Sequence, residues 1–147
     1  DEGLYDPANE PDIAYAHLFS YFRGEEWRTQ KETQRLLDKY FTTKPNGIPG
    51  NDDTGTMSAW AIFNMIGFYP DCPGLPEYTL TTPVFNKVTI RLDPKWYKEK
   101  ELVIESNRTQ PGTLYINKVL LNGKKFNQYR ITHDELVHSQ RILFDLK

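Results

Sequence analysis

Two carboxylates and an amide stand side by side at Asn51-Asp52-Asp53, inside the run Gly47-Ile48-Pro49-Gly50-Asn51-Asp52-Asp53-Thr54-Gly55-Thr56-Met57-Ser58-Ala59-Trp60. Glycine and proline frame the run, and an apolar helix is expected to follow it. Unpaired N–H groups at a helix start favour ionised carboxylates. An ionised carboxylate suits a general base, which must be deprotonated before the reaction. It suits a general acid poorly, since an acid needs a raised pKa. Adjacent side chains diverge, so Asp52 and Asp53 need not share a task. Simple helix capping uses the same residue types. An oxygen-rich turn is also a general cation loop, although no Glu stands twelfth from Asn51, Asp52 or Asp53 as an EF-hand requires.

Asn9-Glu10-Pro11-Asp12 forms a second polar cluster with the same alternatives. Two acidic helix starts in one small unit suggest a shared cleft or cation site. The other candidates are weaker. His17 falls inside an expected helix, where packing is the simpler role. His133 and His138 have no partnering Cys or His motif. Ser58 lacks the Gly-x-Ser-x-Gly frame of a nucleophile elbow. Cys72 is the lone cysteine, which excludes an internal disulfide and a multi-cysteine zinc site, and it reads as a small core residue. Trp27 and Trp60 suit either a sugar-binding floor or the core. Asn107-Arg108-Thr109 matches the short glycosylation sequon.

The elements that must hold these residues change character near residue 75. Before it, apolar residues recur at helical spacing. A first helix is expected over Pro11–Phe22, with Asn9 as cap and Gly24 as stop. A second runs from Glu25 or Glu26 to Tyr40. A third runs from about Thr54 to Gly67 and is apolar nearly all round, as helices buried against several neighbours are. After the rigid connector Asp71–Pro76, strands are expected at Tyr78–Leu80, Lys87–Leu92, Glu101–Glu105, Thr113–Leu121, Gln128–Ile131 and Arg141–Leu146. Leu121-Asn122-Gly123-Lys124 reads as a tight hairpin turn. His133–Leu136 reads as a turn or short helical piece.

The chain has 147 residues and a formal charge of −2, so no basic face for nucleic acid is implied. Three Trp, nine Tyr and eight Phe argue against disorder. No apolar run is long enough to span a membrane. Asp1–Tyr5 does not read as a signal peptide, and with no initiator Met, Asp1 is expected to be a cut point. Three helices, one of them apolar all round, make an untidy bundle. The pattern points to a piece of a larger helical domain with a β appendix. The alternative is a self-sufficient α+β domain whose sheet covers the third helix.

At these residues the sequence resembles glycoside hydrolase family 92, the calcium-dependent α-mannosidases. The resemblance rests on Asn9-Glu10-Pro11, Trp27-Arg28-Thr29-Gln30, the Gly47–Trp60 run and Gly67-Phe68-Tyr69-Pro70-Asp71-Cys72-Pro73-Gly74. Tyr78–Ile90 and Leu121–His133 extend it over nearly the whole chain. It implies an α+β class: the last helices of an (α/α)6 barrel (residues 1–75) followed by a small antiparallel β region (76–147). It also implies exo-acting, inverting hydrolysis of terminal mannose, of α-1,2 type. Inversion needs a carboxylic acid and a carboxylate base spaced to admit a water. The family's base matches Asp53. A second acidic position seen in some members is Asn51 here, which cannot be a base. Asn51 and Asp52 would hold water or sugar hydroxyls, and Glu10 is the carried-over calcium ligand. The family's acid is a Glu well upstream. Only Glu2 precedes Asn9, so the isolated chain is expected to be silent. Mannose-containing glycan and the rest of the same enzyme are the implied partners, and the implied location is periplasmic or extracellular. A non-catalytic carbohydrate-binding module, a free-standing structural domain and another calcium-dependent hydrolase are the rival readings.

Overall fold

A computed structural model describes residues 6–147; Asp1 and Glu2, on which two of the expectations fall, lie outside them. The second expected helix is α1, Glu26–Tyr40, and the third is α2, Thr56–Ile66. Gly67 ends α2 in the left-handed conformation (φ 116°), as the sequence stop predicts. The first expected helix is not an α-helix. It is two 3₁₀ segments, Glu10–Asp12 and Tyr15–Tyr21. Aromatic, His and Ser residues there have middling helix propensity. Tertiary anchors therefore decide the winding: Trp60 Nε1 donates to the Ile13 carbonyl at 3.1 Å, and His17 bonds Asn64 at 2.9 Å. Asn9 makes no side-chain cap; its amide donates to Asp12 Oδ2 at 3.2 Å instead.

The strands are β1 Phe68–Tyr69, β2 Glu77–Leu80, β3 Lys87–Arg91, β4 Glu101–Arg108, β5 Ile116–Leu121, β6 Lys124–Phe126, β7 Arg130–Thr132 and β8 Arg141–Leu146. They form a three-stranded sheet, β1-β2-β7, and a five-stranded sheet, β3-β4-β8-β5-β6. The β region is mixed, which corrects the antiparallel expectation. β4 and β8 run parallel, pairing Ile104 with Ile142 and Ser106 with Phe144. Parallel neighbours need a crossover. Here β5, β6, β7 and the short helix α3 (His133–Val137) fill it, a long-range pairing that alternation along single strands cannot reveal. The hairpin turn is as expected. Asn122 (φ 48°) and Gly123 (φ 79°) both take positive φ, the two-residue geometry that matches strand twist. α3 carries a capping box, Thr132 with Glu135.

Two apolar clusters hold the fold. Leu102, Ile104, Ile142, Phe144 and Leu146 of the larger sheet meet Leu80 and Ile131 of the smaller one. Ala16, Leu36, Leu37, Trp60 and Ala61 form the second cluster, between α1, α2 and the 3₁₀ segment. Helix α2 serves both, since Phe63 and Ile66 pack against the sheets. Yet Ile62 is 57% exposed, so one flank of this apolar helix has no cover among the described residues. Arg130 ties the two halves together. Its guanidinium donates to both Asp71 oxygens (3.2 and 3.3 Å), to Thr79 Oγ1 (2.8 Å) and to Glu77 Oε2 (3.2 Å), and it lies 4.1 Å over the Tyr21 ring.

Candidate active-site loop

The loop between α1 and α2 sets the acids. Asp52 lies four residues ahead of Thr56, where the helix proper begins, and its carboxylate reaches the first turn of α2. Oδ1 accepts the Ser58 amide N–H at 2.8 Å, and Oδ2 accepts the Ser58 hydroxyl. These bonds, the hydroxyl's first and then the amide's, hold the Asp52 carboxyl below the usual carboxylate range. Capping, the plain alternative for the acidic pair, therefore describes Asp52.

Asp53 is different. It opens the 3₁₀ turn Asp53–Gly55, and its carbonyl accepts the Thr56 hydroxyl at 2.6 Å. Its carboxylate is exposed and accepts no hydrogen bond from the described residues. Thr54, next in the chain, takes φ 55°. That conformation is rare for a β-branched residue and fixes how the Asp53 backbone leaves the loop. Asn51 is also exposed.

The structure brings the second cluster to the same edge. Gly50 takes φ 59°, and a Cβ there would sit 2.5 Å from the Ala8 Cβ. Only glycine permits that approach, which sets the Gly50–Asp53 loop against the turn leading to Asn9 and Glu10. Glu10 is exposed, in the short 3₁₀ segment. Calcium takes six to eight oxygen ligands. Among the described residues no three His, Cys, Asp or Glu side chains gather as a metal site. These residues alone do not complete a calcium shell.

The other candidates separate cleanly. Trp60 is 3% exposed and stacks on Phe41 (5.4 Å), so it is core. Trp27 is 42% exposed. His17 is buried, stacked 4.4 Å from Tyr69, and burial pushes its pKa down to about 4. The Tyr78 hydroxyl and His133 Nδ1 are hydrogen-bonded at 2.8 Å, and His138 lies beside Asp134. Cys72 is half-buried rather than core. The Asn107 amide donates to Asp145 at 3.0 Å. Sequence reasoning missed the Arg130–Asp71–Glu77 network, whose members are scattered over 59 positions between Asp71 and Arg130; no local motif announces it.

The loop thus spends the Asp52 carboxylate on the first turn of α2 and leaves that of Asp53 without a partner among the described residues. The chain belongs to glycosyl hydrolase family 92: the model of that family's catalytic domain matches residues 1–147. A protein from Arthroderma benhamiae described as an uncharacterized secreted glycosidase is 28% identical over 134 residues, 91% of this chain and 17% of that protein. A family GH92 α-mannosidase of Bacteroides thetaiotaomicron superposes with a TM-score of 0.88 at 32% identity, over 99% of this chain and 19% of its own; it has also been solved in complex with mannoimidazole. A family GH92 inverting mannosidase of the same organism gives 0.86 and 34%, with the same coverage. The chain thus spans less than a fifth of the length of these relatives.

Proposed function

We propose that these 147 residues form the base-bearing part of a calcium-dependent, inverting α-mannosidase that removes terminal mannose, of α-1,2 type, from glycans. Asp53 is the general base. The observation that carries this reading is its exposed carboxylate, which accepts no hydrogen bond from the described residues, beside a neighbour whose own oxygens are occupied by Ser58. A base of this kind takes a proton from water as the water attacks the anomeric carbon, and the acid stands on the opposite side of the bond. Asn51 and the remaining lone pairs of Asp52 hold water or sugar hydroxyls. Glu10 supplies one calcium ligand, the others lying outside the described residues. The inverting and mannoimidazole-binding relatives support the substrate class, and the secreted relative supports a periplasmic or extracellular setting. No helix among the described residues is long and apolar enough to cross a membrane.

The helical part, 1–75, closes an (α/α)6 barrel, and residues 76–147 are its β appendix. The uncovered flank of α2 at Ile62 favours this over a self-sufficient domain. The general acid comes from elsewhere in the parent enzyme, so the 147-residue chain alone turns over no substrate. The test is kinetic, with the full-length enzyme and an aryl α-mannoside. Asp53→Asn lowers kcat by about 10²–10⁴-fold, the range for loss of a general base, with KM little changed. Turnover within tenfold of wild type in Asp53→Asn refutes the assignment.

A further inference from the structure

At the end of α1 away from the acidic loop, a groove of ≈ 520 Å³ opens between the helix and the larger sheet. Its walls are aromatic: Trp27 from α1, Tyr115 ahead of β5 and Tyr129 ahead of β7. Trp27 and Tyr115 meet edge to face, with ring centroids 6.4 Å apart. The fifteen residues of α1 put roughly 20 Å of helix between this groove and the loop that carries Asp53.

The floor holds an unmet donor. Gln30 is 1% exposed, and its Oε1 accepts the Ile116 amide N–H at 2.9 Å. That bond fixes which way the amide faces, so Nε2 is the other end. Nε2 has no hydrogen-bond partner among the described residues, and Gln30 lines the groove. Nε2 is not one of the sealed, unpartnered side-chain atoms, so it opens onto the groove and is free to donate to a ligand acceptor there. Glu26 and Lys147, also on the wall, offset one another in charge. The groove size lies within the roughly 300–1,000 Å³ usual for small-molecule sites.

We propose that this groove binds a neutral saccharide unit, at a site separate from the Asp53 loop. The C–H face of a sugar ring covers the aromatic walls, and a ring hydroxyl accepts from Gln30 Nε2. A purely apolar ligand would leave that donor unmet, and an anion finds no cluster of cations. A second sugar site gives the enzyme a hold on one branch of a glycan while another is trimmed. The choice of mannose as the unit rests on the function proposed above; the groove and its unpaired amide do not.

The test uses the full-length enzyme carrying Asp53→Asn, so that bound sugar persists, titrated calorimetrically with α-1,2-linked mannotriose. Two binding steps are expected. Adding Trp27→Ala removes one of them, and Trp27→Phe restores part of it. Gln30→Glu, which keeps the acceptor for Ile116 and deletes the donor, weakens the same step about tenfold. It also serves if Trp27→Ala proves unstable by its melting curve. A single step in the parent, or two steps that survive both substitutions, overturns the proposal. So does a Trp27 indole shielded from acrylamide quenching because other parts of the chain fill the groove. The two readings fail separately: one binding step with Asp53-dependent turnover defeats the groove alone, and two steps with Asp53-independent turnover defeat only the base.

Discussion

Acid should loosen this fold at one buried imidazole. His17 is fully buried, stacked on Tyr69 and bonded to Asn64. The Asn64 amide nitrogen donates to the Trp60 carbonyl at 2.8 Å, so its Oδ1 faces His17 as acceptor. His17 Nε2 therefore carries the hydrogen, and the other nitrogen, Nδ1, is buried with no hydrogen-bond partner among the described residues. Protonating the ring places a charge in a desolvated site, where the Ala14 backbone offers only a weak compensating contact. Burial pushes the pKa from 6.5 to about 4, against weaker opposing pulls from the Asn64 bond and the Asp71 carboxylate. Because the folded pKa is depressed, the unfolded chain binds the extra proton first. Stability is then complete above pH 6.5 and falls as pH drops toward 4. The ceiling is 2.5 pKa intervals at about 1.36 kcal/mol each, about 3.4 kcal/mol, of which about 2.5 kcal/mol is reached by pH 4.5. Urea denaturation of the chain and of His17→Gln, run at pH 7.5, 6 and 4.5, isolates this contribution, because the carboxylates cancel between the two proteins. The wild type should lose about 2.5 kcal/mol more than the variant over that interval. Parallel curves, differing by less than about 0.5 kcal/mol in their pH dependence, would show that His17 is not held neutral by burial.

Other outcomes follow from the same geometry. Arg130→Met leaves the buried Asp71 carboxylate with the Thr79 and Tyr21 hydroxyls but no countercharge from that guanidinium, and should cost about 3–5 kcal/mol in urea denaturation. Adding Asp71→Leu should recover most of that loss, since the uncompensated charge goes too. Gly50→Ala forces an L side chain into φ 59° and against Ala8, at about 1–2 kcal/mol for the left-handed backbone alone. In the full-length enzyme it should also lower kcat on an aryl mannoside, by moving the loop that presents Asp53. An unchanged melting temperature with unchanged kcat would mean that the loop does not depend on that contact.

The amino-acid order alone settled the local pieces of this protein. Alternation at Val88-Thr89-Ile90-Arg91-Leu92 marked a strand, Asn122-Gly123 the hairpin and Gly67 the helix stop, because each depends on a few neighbours and on backbone sterics. The Gly47–Trp60 run likewise announced an acidic loop. Its two aspartates look alike in sequence. Their difference lies in whether a carboxylate reaches Ser58, a matter of where the chain folds back. The same holds for the parallel pairing of β4 with β8, for the 3₁₀ winding of Tyr15–Tyr21, and for Trp60 going inside while Trp27 stays out. Each turns on contacts between residues tens of positions apart, such as Trp60 with Ile13 and Gln30 with Ile116. Spacing along a chain carries no record of which distant atoms will meet; packing decides that once the elements exist.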